Sequence, residues 1–415
     1  MTQLIAVPTF DVSVRVRPAA LILLATLAAI LGFIPAAQAQ TFTVLHSFTG
    51  PDGATPLAGL TMDRAGNLYG TAYTGGQGFG NCNLGCGTVF KLTHASTGWV
   101  FTTLYSFSGP DGANPRSRVV FGPDGALYGT ATQGGPLGRG VVFQLRPPAT
   151  ICHAVQCPWT ETILHAFART NDGSYPTSGD LVFDRAGNIY GTTDDGGQFF
   201  SGTVYQLVRS NGSWTETVLH NFGAGSDGRL PQSGLTIDGQ GNLFGTTEAG
   251  GSTQGGTVYE LTNNGSGWTE TVIHSFDNNT EGSLPIGGVI LDAAGNLYGA
   301  TNTGGANFGG GVYELTPGNG GWTANVLYMF SNVYVGSFAS LTLGANGSLY
   351  GTLNVADVDV FQLTQSGGQW TQTGVFGRNN DSPSGNVIVD AQGNLYTTGA
   401  AGGPNQDGVV LKITP

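Results

Sequence analysis

A hexapeptide recurs seven times along the chain, and its spacing restricts the folds that the chain can adopt. The copies read GNLYGT, GALYGT, GNIYGT, GNLFGT, GNLYGA, GSLYGT and GNLYTT, and they begin at Gly66, Gly125, Gly187, Gly241, Gly295, Gly347 and Gly393. Successive starting positions differ by 46 to 62 residues. Solenoid repeats are mostly shorter, whereas a period of about fifty residues is typical of β-propeller blades. The sequence therefore predicts seven blades.

Each copy carries four strand signals. A short apolar run precedes the hexapeptide and ends in Asp-x-x-Gly, with Gly122 and Gly344 in place of the aspartate in blades two and six, and the hexapeptide is itself a second strand. A Gly-Thr-Val-Phe/Tyr segment follows as the third strand, and a segment like Trp-Thr-Glu-Thr-Val-Leu-His-x-Phe as the fourth. Asp-x-x-Gly is typical of a hairpin turn, because aspartate caps the backbone and glycine adopts positive φ. We letter these strands a to d, with strand a innermost in each blade.

The two ends of the chain supply parts of one blade. Tryptophans open six fourth strands, and after the seventh hexapeptide only a c-type strand remains, at Gly408–Ile413. The missing d strand matches Thr41–Phe48 at the other end. We therefore predict an all-β, seven-bladed β-propeller of four-stranded blades, closed by the N-terminal mature strand completing the last blade. Residues 40–415 are predicted to form this single domain.

The hexapeptide, the Gly-Gly that follows it in most copies and the Gly-Thr-Val-Phe/Tyr strand resemble the extracellular tandem repeat of the GloVer (Gloeo/Verruco) family. The resemblance covers residues 41–415. It implies a propeller-type architecture and an extracellular location, and it implies no particular reaction.

The amino terminus has the pattern of a secretory signal. Arg15 and Arg17 precede an apolar run over residues 19–34, and Ala37-Gln38-Ala39 follows as an A-x-A cleavage site. We predict a signal peptide over residues 1–39, cleaved after Ala39, and a secreted or periplasmic mature protein. A membrane anchor is the alternative. No second apolar span occurs, so the mature chain is expected to lack a membrane span.

Charge argues against a nucleic-acid partner. The chain has 14 lysines and arginines against 26 acidic residues, a net charge of −12, and it has no basic stripe with interleaved aromatic residues. Binding to the phosphate backbone requires such a basic surface.

Four cysteines form two close pairs, Cys82 with Cys86 and Cys152 with Cys157. Local disulfides suit an oxidising compartment, and a zinc site is the alternative. In the predicted blades the first pair lies in a b–c loop and the second in a c–d loop, on opposite faces. Crossed bridges would exceed the Cα separation of about 7 Å that a disulfide tolerates.

Two further series of side chains recur in the repeat. His46, His165, His220 and His274 share one position on the fourth strand with aromatic residues, which favours packing over catalysis. Asp-Gly or Glu-Gly pairs lie between strands d and a and are typical of turns. Calcium is the alternative ligand of those carboxylates, although no D-x-D-x-D-G loop accompanies them. We predict no metal and no other cofactor.

In a ring of seven similar blades, the residues of a ligand site should differ from the residues at the same repeat positions in the other blades. The start of strand a lies at the mouth of the central channel, and there the seven blades carry Gly59, Arg118, Asp180, Gly234, Gly288, Ser340 and Asn386. Arg118 and Asp180, with Arg116 nearby, could bind an anionic or hydroxyl-rich ligand. A salt bridge between blades is the alternative.

The b–c loop of blade three adds Asp194, Asp195 and Phe199 on the same face. Exposed aromatic residues beside polar groups suit carbohydrate or peptide binding. We therefore predict a secreted, non-catalytic binding or scaffold module, monomeric, whose loop-rich face presents these residues to a glycan, a peptide or a cell-surface component. The alternative is an extracellular propeller enzyme, a lyase or a glycan-acting hydrolase.

The cysteine assignment can be tested directly. Non-reducing peptide mapping of the mature protein is expected to find Cys82 joined to Cys86 and Cys152 joined to Cys157. A bridge between Cys82 and Cys152 would contradict the strand assignment, because it would have to cross the propeller from face to face.

Overall fold

The described part of the chain consists of strands. The computed structural model describes residues 40–77, 82–96, 98–148, 159–223, 226–331, 340–353, 360–376 and 384–414. These residues form seven antiparallel four-stranded sheets and no helix. The predicted all-β, seven-bladed propeller is confirmed. The predicted signal peptide, residues 1–39, lies outside the described residues, and its cleavage stays a prediction.

In chain order the strands are β1 (Thr41–Ser47), β2 (Thr61–Met62), β3 (Leu68–Ala72), β4 (Thr88–Ala95), β5 (Gly98–Ser106), β6 (Val120–Phe121), β7 (Leu127–Ala131), β8 (Val141–Arg146), β9 (Thr160–Ala166), β10 (Val182–Phe183), β11 (Ile189–Thr193), β12 (Thr203–Ser210), β13 (Ser213–Asn221), β14 (Thr236–Ile237), β15 (Leu243–Thr247), β16 (Thr257–Asn263), β17 (Trp268–Ser275), β18 (Ile290–Leu291), β19 (Leu297–Thr301), β20 (Gly311–Gly318), β21 (Gly321–Met329), β22 (Thr342–Leu343), β23 (Leu349–Thr352), β24 (Val360–Ser366), β25 (Gln369–Phe376), β26 (Ile388–Val389), β27 (Leu395–Gly399) and β28 (Val409–Thr414).

Blades one to six each consist of four consecutive strands, from β2–β5 through β22–β25. The seventh sheet has the order β1-β28-β27-β26. β1 pairs antiparallel with β28, with Phe42 opposite Ile413 and Ser47 opposite Val409. The first strand of the domain therefore occupies the d position of the sheet that contains its last three strands. In every blade the predicted strand a is reduced to two residues.

The a–b turns are held by their aspartates, as predicted. In blade one, Asp63 Oδ1 accepts hydrogen bonds from the backbone N–H groups of Ala65 and Asn67, each at 2.9 Å. Its Oδ2 accepts from the Asn67 side chain at 2.8 Å and from the Tyr69 hydroxyl at 3.1 Å. Asp184, Asp292 and Asp390 make the same four bonds in their own blades.

The glycine inside the hexapeptide leaves room for an aromatic ring on the neighbouring strand. In blade four, Gly245 lies opposite Tyr259, and a Cβ at Gly245 would stand 2.3 Å from the tyrosine oxygen. Such a contact is far inside the van der Waals limit. The same cross-strand pairing of glycine with Phe or Tyr occurs in blades one to six, at Gly70–Phe90, Gly129–Phe143, Gly191–Tyr205, Gly245–Tyr259, Gly299–Tyr313 and Gly351–Phe361.

These rings connect adjacent blades. Tyr259 is fully buried, and its ring centroid lies 5.0 Å from that of Phe222, at the end of the outer strand of blade three. Phe48 and Phe90 make the equivalent contact between blades seven and one, at 5.2 Å. Edge-to-face aromatic pairs add about 1 kcal/mol each beyond the area that they bury. The hydrophobic core is thus distributed over the interfaces between blades.

A second recurring set of contacts lies at the ends of the outer strands. The histidine or tyrosine near the end of strand d contacts the carboxylate of the following d–a loop. Distances between 2.6 and 3.1 Å join the pairs His46–Asp52, Tyr105–Asp111, His220–Asp227 and His274–Glu281. Burial lowers the pKa of His46 and of His220, against the opposing effect of the carboxylate. Both imidazoles are therefore uncharged at neutral pH.

Three carboxylates of the d–a loops, Asp111, Asp172 and Asp227, each face a glutamate on the outer strand of the next blade. Burial and, to a smaller extent, the charge of the facing aspartate raise the pKa of Glu161, Glu216 and Glu270 to about 7. Within the described part of the chain, the Oε1 atom of each glutamate is buried without a hydrogen-bond partner. In blade six Gln372 occupies the same position and accepts a hydrogen bond from Tyr328 at 3.1 Å.

Replacing Glu216 by Gln is expected to stabilise the propeller at pH 8 and to change little at pH 5. A carboxyl whose pKa is raised on folding favours the folded state below its unfolded value of 4.5, and that contribution is lost as the pH rises through about 7. The expected gain in unfolding free energy at pH 8 is about 1 kcal/mol, because solvent screens the partly exposed side chain. Urea unfolding at both pH values measures it, and an equal effect at pH 5 and pH 8 would contradict this explanation.

Candidate functional site

A cavity of about 260 Å³ lies where the innermost strands of all seven blades begin. The residue at the start of each strand a contributes to its lining, and the seven residues are Gly59, Arg118, Asp180, Gly234, Gly288, Ser340 and Asn386. We call this cavity the channel mouth. In an antiparallel blade the d–a and b–c loops lie at one end of the strands and the a–b and c–d turns at the other. The d–a and b–c loops therefore surround the channel mouth.

The residues of the channel mouth are joined by hydrogen bonds between blades. Asp180 Oδ1 accepts from the backbone N–H of Arg118 at 2.9 Å, and Asn386 Oδ1 accepts from that of Ser340 at 3.0 Å. The Ser340 hydroxyl accepts from the backbone N–H of Gly288 at 2.9 Å. A polar side chain of one blade therefore accepts a hydrogen bond from a backbone N–H group of the preceding blade.

Glycine occupies this position where the backbones of neighbouring blades touch. A Cβ at Gly59 would lie 2.8 Å from the backbone nitrogen and oxygen of Asn386, and one at Gly234 would lie 2.7 Å from the backbone nitrogen of Asp180. The residue at the start of strand a differs between blades, and this variation thus has a structural role in addition to any role in binding.

Arg118 and Asp180, both candidate ligand residues, form an ion pair with each other. The Arg118 Nε and Nη2 atoms each lie 2.7 Å from Asp180 Oδ2. Nη1 also reaches the backbone oxygen of Leu60 at 3.5 Å, so this arginine contacts blades one and three from its place on blade two. The geometry is that of the predicted salt bridge between blades. Ligand binding by the pair stays a prediction.

Arg116 differs from Arg118 in having no hydrogen-bond or ion-pair partner among the described residues. Its side chain is exposed and lines the channel mouth. Its positive charge lowers the pKa of Asp194, which lies at the end of strand b in blade three, against the larger opposing effect of burial. Arg116 is therefore the cation at the channel mouth that is available to a ligand.

Asp194 is a partly buried carboxyl whose charge interacts with that of Arg116 in the channel mouth. Burial, with the charges of Glu248 and Asp195, raises its pKa to about 6, and the charge of Arg116 opposes the shift. Its Oδ1 atom is buried without a hydrogen-bond partner among the described residues. Glu248 occupies the same repeat position in blade four, and its Oε2 accepts a hydrogen bond from Gln232. Two carboxyl groups of neighbouring blades thus lie close enough to interact electrostatically.

Asp195 and Phe199 do not line the channel mouth and lie instead on the surrounding loops. Asp195 Oδ2 forms an ion pair with Arg169 Nε at 2.9 Å and accepts a hydrogen bond from the Ser174 hydroxyl at 3.3 Å. Phe199 is exposed. The structure therefore divides the six predicted site residues into a central group and a group on the rim of blade three.

The channel mouth has two chemically different sides. Its charged residues belong to blades two and three, whereas its larger apolar side chains belong to the remaining arc, as Leu57, Ile286 and Leu353. A concave site with an apolar wall and a few convergent polar groups is the usual form of a small-molecule site. The arrangement can bind a group that presents a polar or anionic edge and an apolar face.

The first predicted disulfide is present. Cys82 and Cys86 are bonded, with their Cα atoms 5.2 Å apart, in the b–c loop of blade one. The bond leaves neither thiolate of this pair free to bind zinc. Cys152 and Cys157 lie outside the described residues, so their pairing stays a prediction.

Two further observations bear on the expected cofactors and on membranes. Within the described ranges, no group of three or more His, Cys, Asp and Glu side chains is placed to hold a metal ion. No helix long and apolar enough to cross a membrane occurs in that part of the chain.

Comparison with known sequences decides the family. The sequence model of the Gloeobacter/Verrucomicrobia repeat matches residues 31–156 and 150–359, which is more than half of the chain. The chain belongs to the Gloeobacter/Verrucomicrobia repeat family. No curated protein sequence matches it.

Solved structures share the fold of this repeat-family member at low identity. A fungal alcohol oxidase of the AA5 family in complex with copper is 14% identical, with a TM-score of 0.51 over 90% of this chain and 76% of its own. PorZ, a surface component of the type-IX secretion system of Porphyromonas gingivalis, is 13% identical, with a TM-score of 0.51 over 88% of this chain and 47% of its own. At these identities the similarity shows the propeller fold alone.

Two features of the site in this repeat-family member were missed from the sequence. Glu248 could have been found, because it occupies the position of Asp194 one repeat later. The bond between Arg169 and Asp195 had no sequence signal, since the two residues are 26 positions apart and Arg169 lies in a d–a loop.

Asp180 gives a test of the hydrogen-bonded ring. Asp180→Ala is expected to lower the free energy of unfolding by about 2 kcal/mol, because it leaves the Arg118 backbone N–H and a partly buried guanidinium unpaired. Asp180→Asn keeps an acceptor like that of Asn386 and should cost about half as much. Urea unfolding of both variants measures the difference, and equal losses would show that the side-chain acceptor contributes nothing.

Proposed function

We propose that this protein is a secreted, non-catalytic binding module whose loop-rich face holds a glycan, a peptide or a cell-surface component at the channel mouth. The observation that carries the proposal is the Arg116 guanidinium, which is exposed at the channel mouth and has no hydrogen-bond or ion-pair partner among the described residues. An unpaired arginine facing an apolar wall suits the recognition of an anionic or hydroxyl-rich group.

The pairing of the other charges supports binding over catalysis. Arg118 is neutralised by Asp180, and Arg169 by Asp195, so both pairs hold loops in place. Among the described residues that line the channel mouth, Arg116 is the cation left without such a pair. A site held rigid by ion pairs is pre-organised, which lowers the entropic cost of binding. Propellers with the same fold include both an oxidase and a surface component, so the fold itself does not decide between these functions.

The extracellular location forms part of the proposal. The Cys82–Cys86 disulfide suits an oxidising compartment, and the segment before residue 40 has the pattern of a signal peptide cleaved after Ala39. We propose that the mature chain, residues 40–415, acts as a monomer in the periplasm or outside the cell.

One observation favours a second candidate, an extracellular lyase or glycan-acting hydrolase. The pKa of Asp194 is raised to about 6 by burial and by the neighbouring Glu248, so part of this carboxyl is protonated near neutral pH. A protonated carboxyl beside an ionised one is the arrangement of many glycan-cleaving sites. Turnover of a glycan that is lost in Asp194→Asn would establish this candidate.

The test of the binding module is a glycan and peptide array with residues 40–415. Arg116→Ala is expected to weaken binding of the ligand about tenfold, the usual loss for one charge-assisted contact. Arg185→Ala is the matched control, because Arg185 is an exposed arginine in an a–b turn on the opposite face. Equal binding by Arg116→Ala and the wild type would remove the channel mouth from the proposal. Addition of EDTA separates metal-dependent binding from the mode proposed here.

A further inference from the structure

Two exposed phenylalanines occupy the same turn position in different blades. Phe200 in blade three has φ of 55° and is 62% exposed, and Phe308 in blade five has φ of 58° and is 59% exposed. The b–c loops of blades two, four and seven carry Gly138, Gln254 and Gln406 at this position, also with positive φ. The turn therefore requires a left-handed residue in these five blades, and two of the five have an aromatic side chain there.

The fold gains little from these aromatic rings. A left-handed conformation costs a residue with a Cβ about 1 kcal/mol or more relative to glycine, and the cost is greater for bulky side chains. A side chain that is more than half exposed recovers little of this cost by burial. Glycine, as at Gly138, would serve the turn better. Strained residues that the fold does not need are concentrated at functional sites.

In blade three the aromatic ring is part of a braced group of side chains. The Arg169 guanidinium lies 5.9 Å from the centroid of the Phe200 ring. Its Nε atom is held by Asp195 at 2.9 Å, and Asp195 is held in turn by Ser174. Phe199 stands beside them and is also exposed. We call Phe199, Phe200, Arg169 and Asp195 the blade-three platform.

We propose that the blade-three platform and Phe308 bind an extended, uncharged polysaccharide that runs along the rim from blade three to blade five. This inference rests on the proposed function and names the ligand class of the loop-rich face. The flat C–H face of a sugar ring packs on an aromatic face, and the planar guanidinium and carboxylate groups hydrogen-bond to adjacent hydroxyls.

The charge on this face favours an uncharged polymer. Arg169 is neutralised by Asp195, and the chain as a whole carries a net charge of −12. An acidic polysaccharide would be repelled by that charge at low salt, whereas a neutral one would not. Blade four separates the two aromatic positions and presents Gln254, an amide that can hydrogen-bond to sugar hydroxyls, at the same turn. A chain that contacts all three blades binds by several weak contacts at once.

Glycine substitutions test this proposal without damaging the fold. Phe200→Gly and Phe308→Gly reproduce the residue found at Gly138, so both variants are expected to unfold at the wild-type temperature or above it. The probes are disaccharides and octasaccharides of β-1,4-glucose, β-1,3-glucose and β-1,4-N-acetylglucosamine, measured by titration calorimetry. We expect one octasaccharide to bind, each single variant to bind it about tenfold more weakly, and the double variant to show no binding.

Three controls accompany these measurements. Leu137→Gly removes an exposed apolar side chain from the b–c loop of blade two and should leave binding unchanged. Phe200→Trp keeps an aromatic face and should retain affinity. Added NaCl should not weaken binding, because the contacts involve no net charge.

The inference fails if no octasaccharide of these series binds, if the Phe200→Gly/Phe308→Gly variant binds as tightly as the wild type, or if only peptides bind. The channel mouth is tested separately by Arg116→Ala. A ligand lost in Arg116→Ala but retained in the double glycine variant supports the channel mouth and overturns the rim. The reverse pattern supports the rim and overturns the channel mouth.

Discussion

The contact between a glycine on strand b and an aromatic ring on strand c is the constraint on which the rest of the propeller depends. With no Cβ at Gly245, the Tyr259 ring lies across strand b and meets Phe222 of the preceding blade. Blade seven is the exception, and there both residues differ: Thr397 replaces the glycine and Leu411 replaces the aromatic residue opposite it. The two positions change together, since a side chain on one strand leaves no space for a ring on the other.

This contact limits where a ligand site can develop. Six blades use their inner strands in the same way, so variation is confined to positions that the ring contacts leave free. At the channel mouth even the unusual side chains are partly used for the fold, because Asp180 and Asn386 each accept a backbone N–H from the preceding blade. Arg116 and Phe200 are different. In the described part of the protein, the Arg116 guanidinium has no hydrogen-bond or ion-pair partner, and the Phe200 ring is largely exposed. Both side chains are therefore available to a ligand.

Much of the architecture could be predicted because every feature occurs several times. Blade number, strand type and the aspartate-capped turns follow from patterns that repeat at fixed spacing, and the Cys82–Cys86 bond follows from its short spacing. Partnerships across loops could not be predicted in this way. The histidines on strand d and the carboxylates of the d–a loops were interpreted separately, as packing residues and as turn residues, yet His220 and Asp227 contact each other. A repeat shows which residues recur and not which of them touch.

The electrostatic properties of the site were less predictable still. The pKa of Asp194 depends on its burial and on how close it lies to Glu248 in the next blade, and neither quantity can be read from the sequence. The predicted group of six ligand residues is divided between the channel mouth and the rim, because the ends of the b–c loops diverge from the start of strand a. Spacing along the chain gave the face on which these residues lie, and the distances between them required the structure.

The pairing of β1 with β28 has a consequence for the order in which the chain becomes ordered. The first strand of the propeller leaves the ribosome before all the others, and its hydrogen-bonding partner leaves after all the others. Until then β1 lacks the neighbour that satisfies its backbone, and its apolar residues have no seventh sheet to join. Contacts this distant in sequence are slow to form, because a long loop must close before they contribute. The last blade is therefore assembled only after every other strand of the propeller has been synthesised, and until then β1 can pair with strands other than β28.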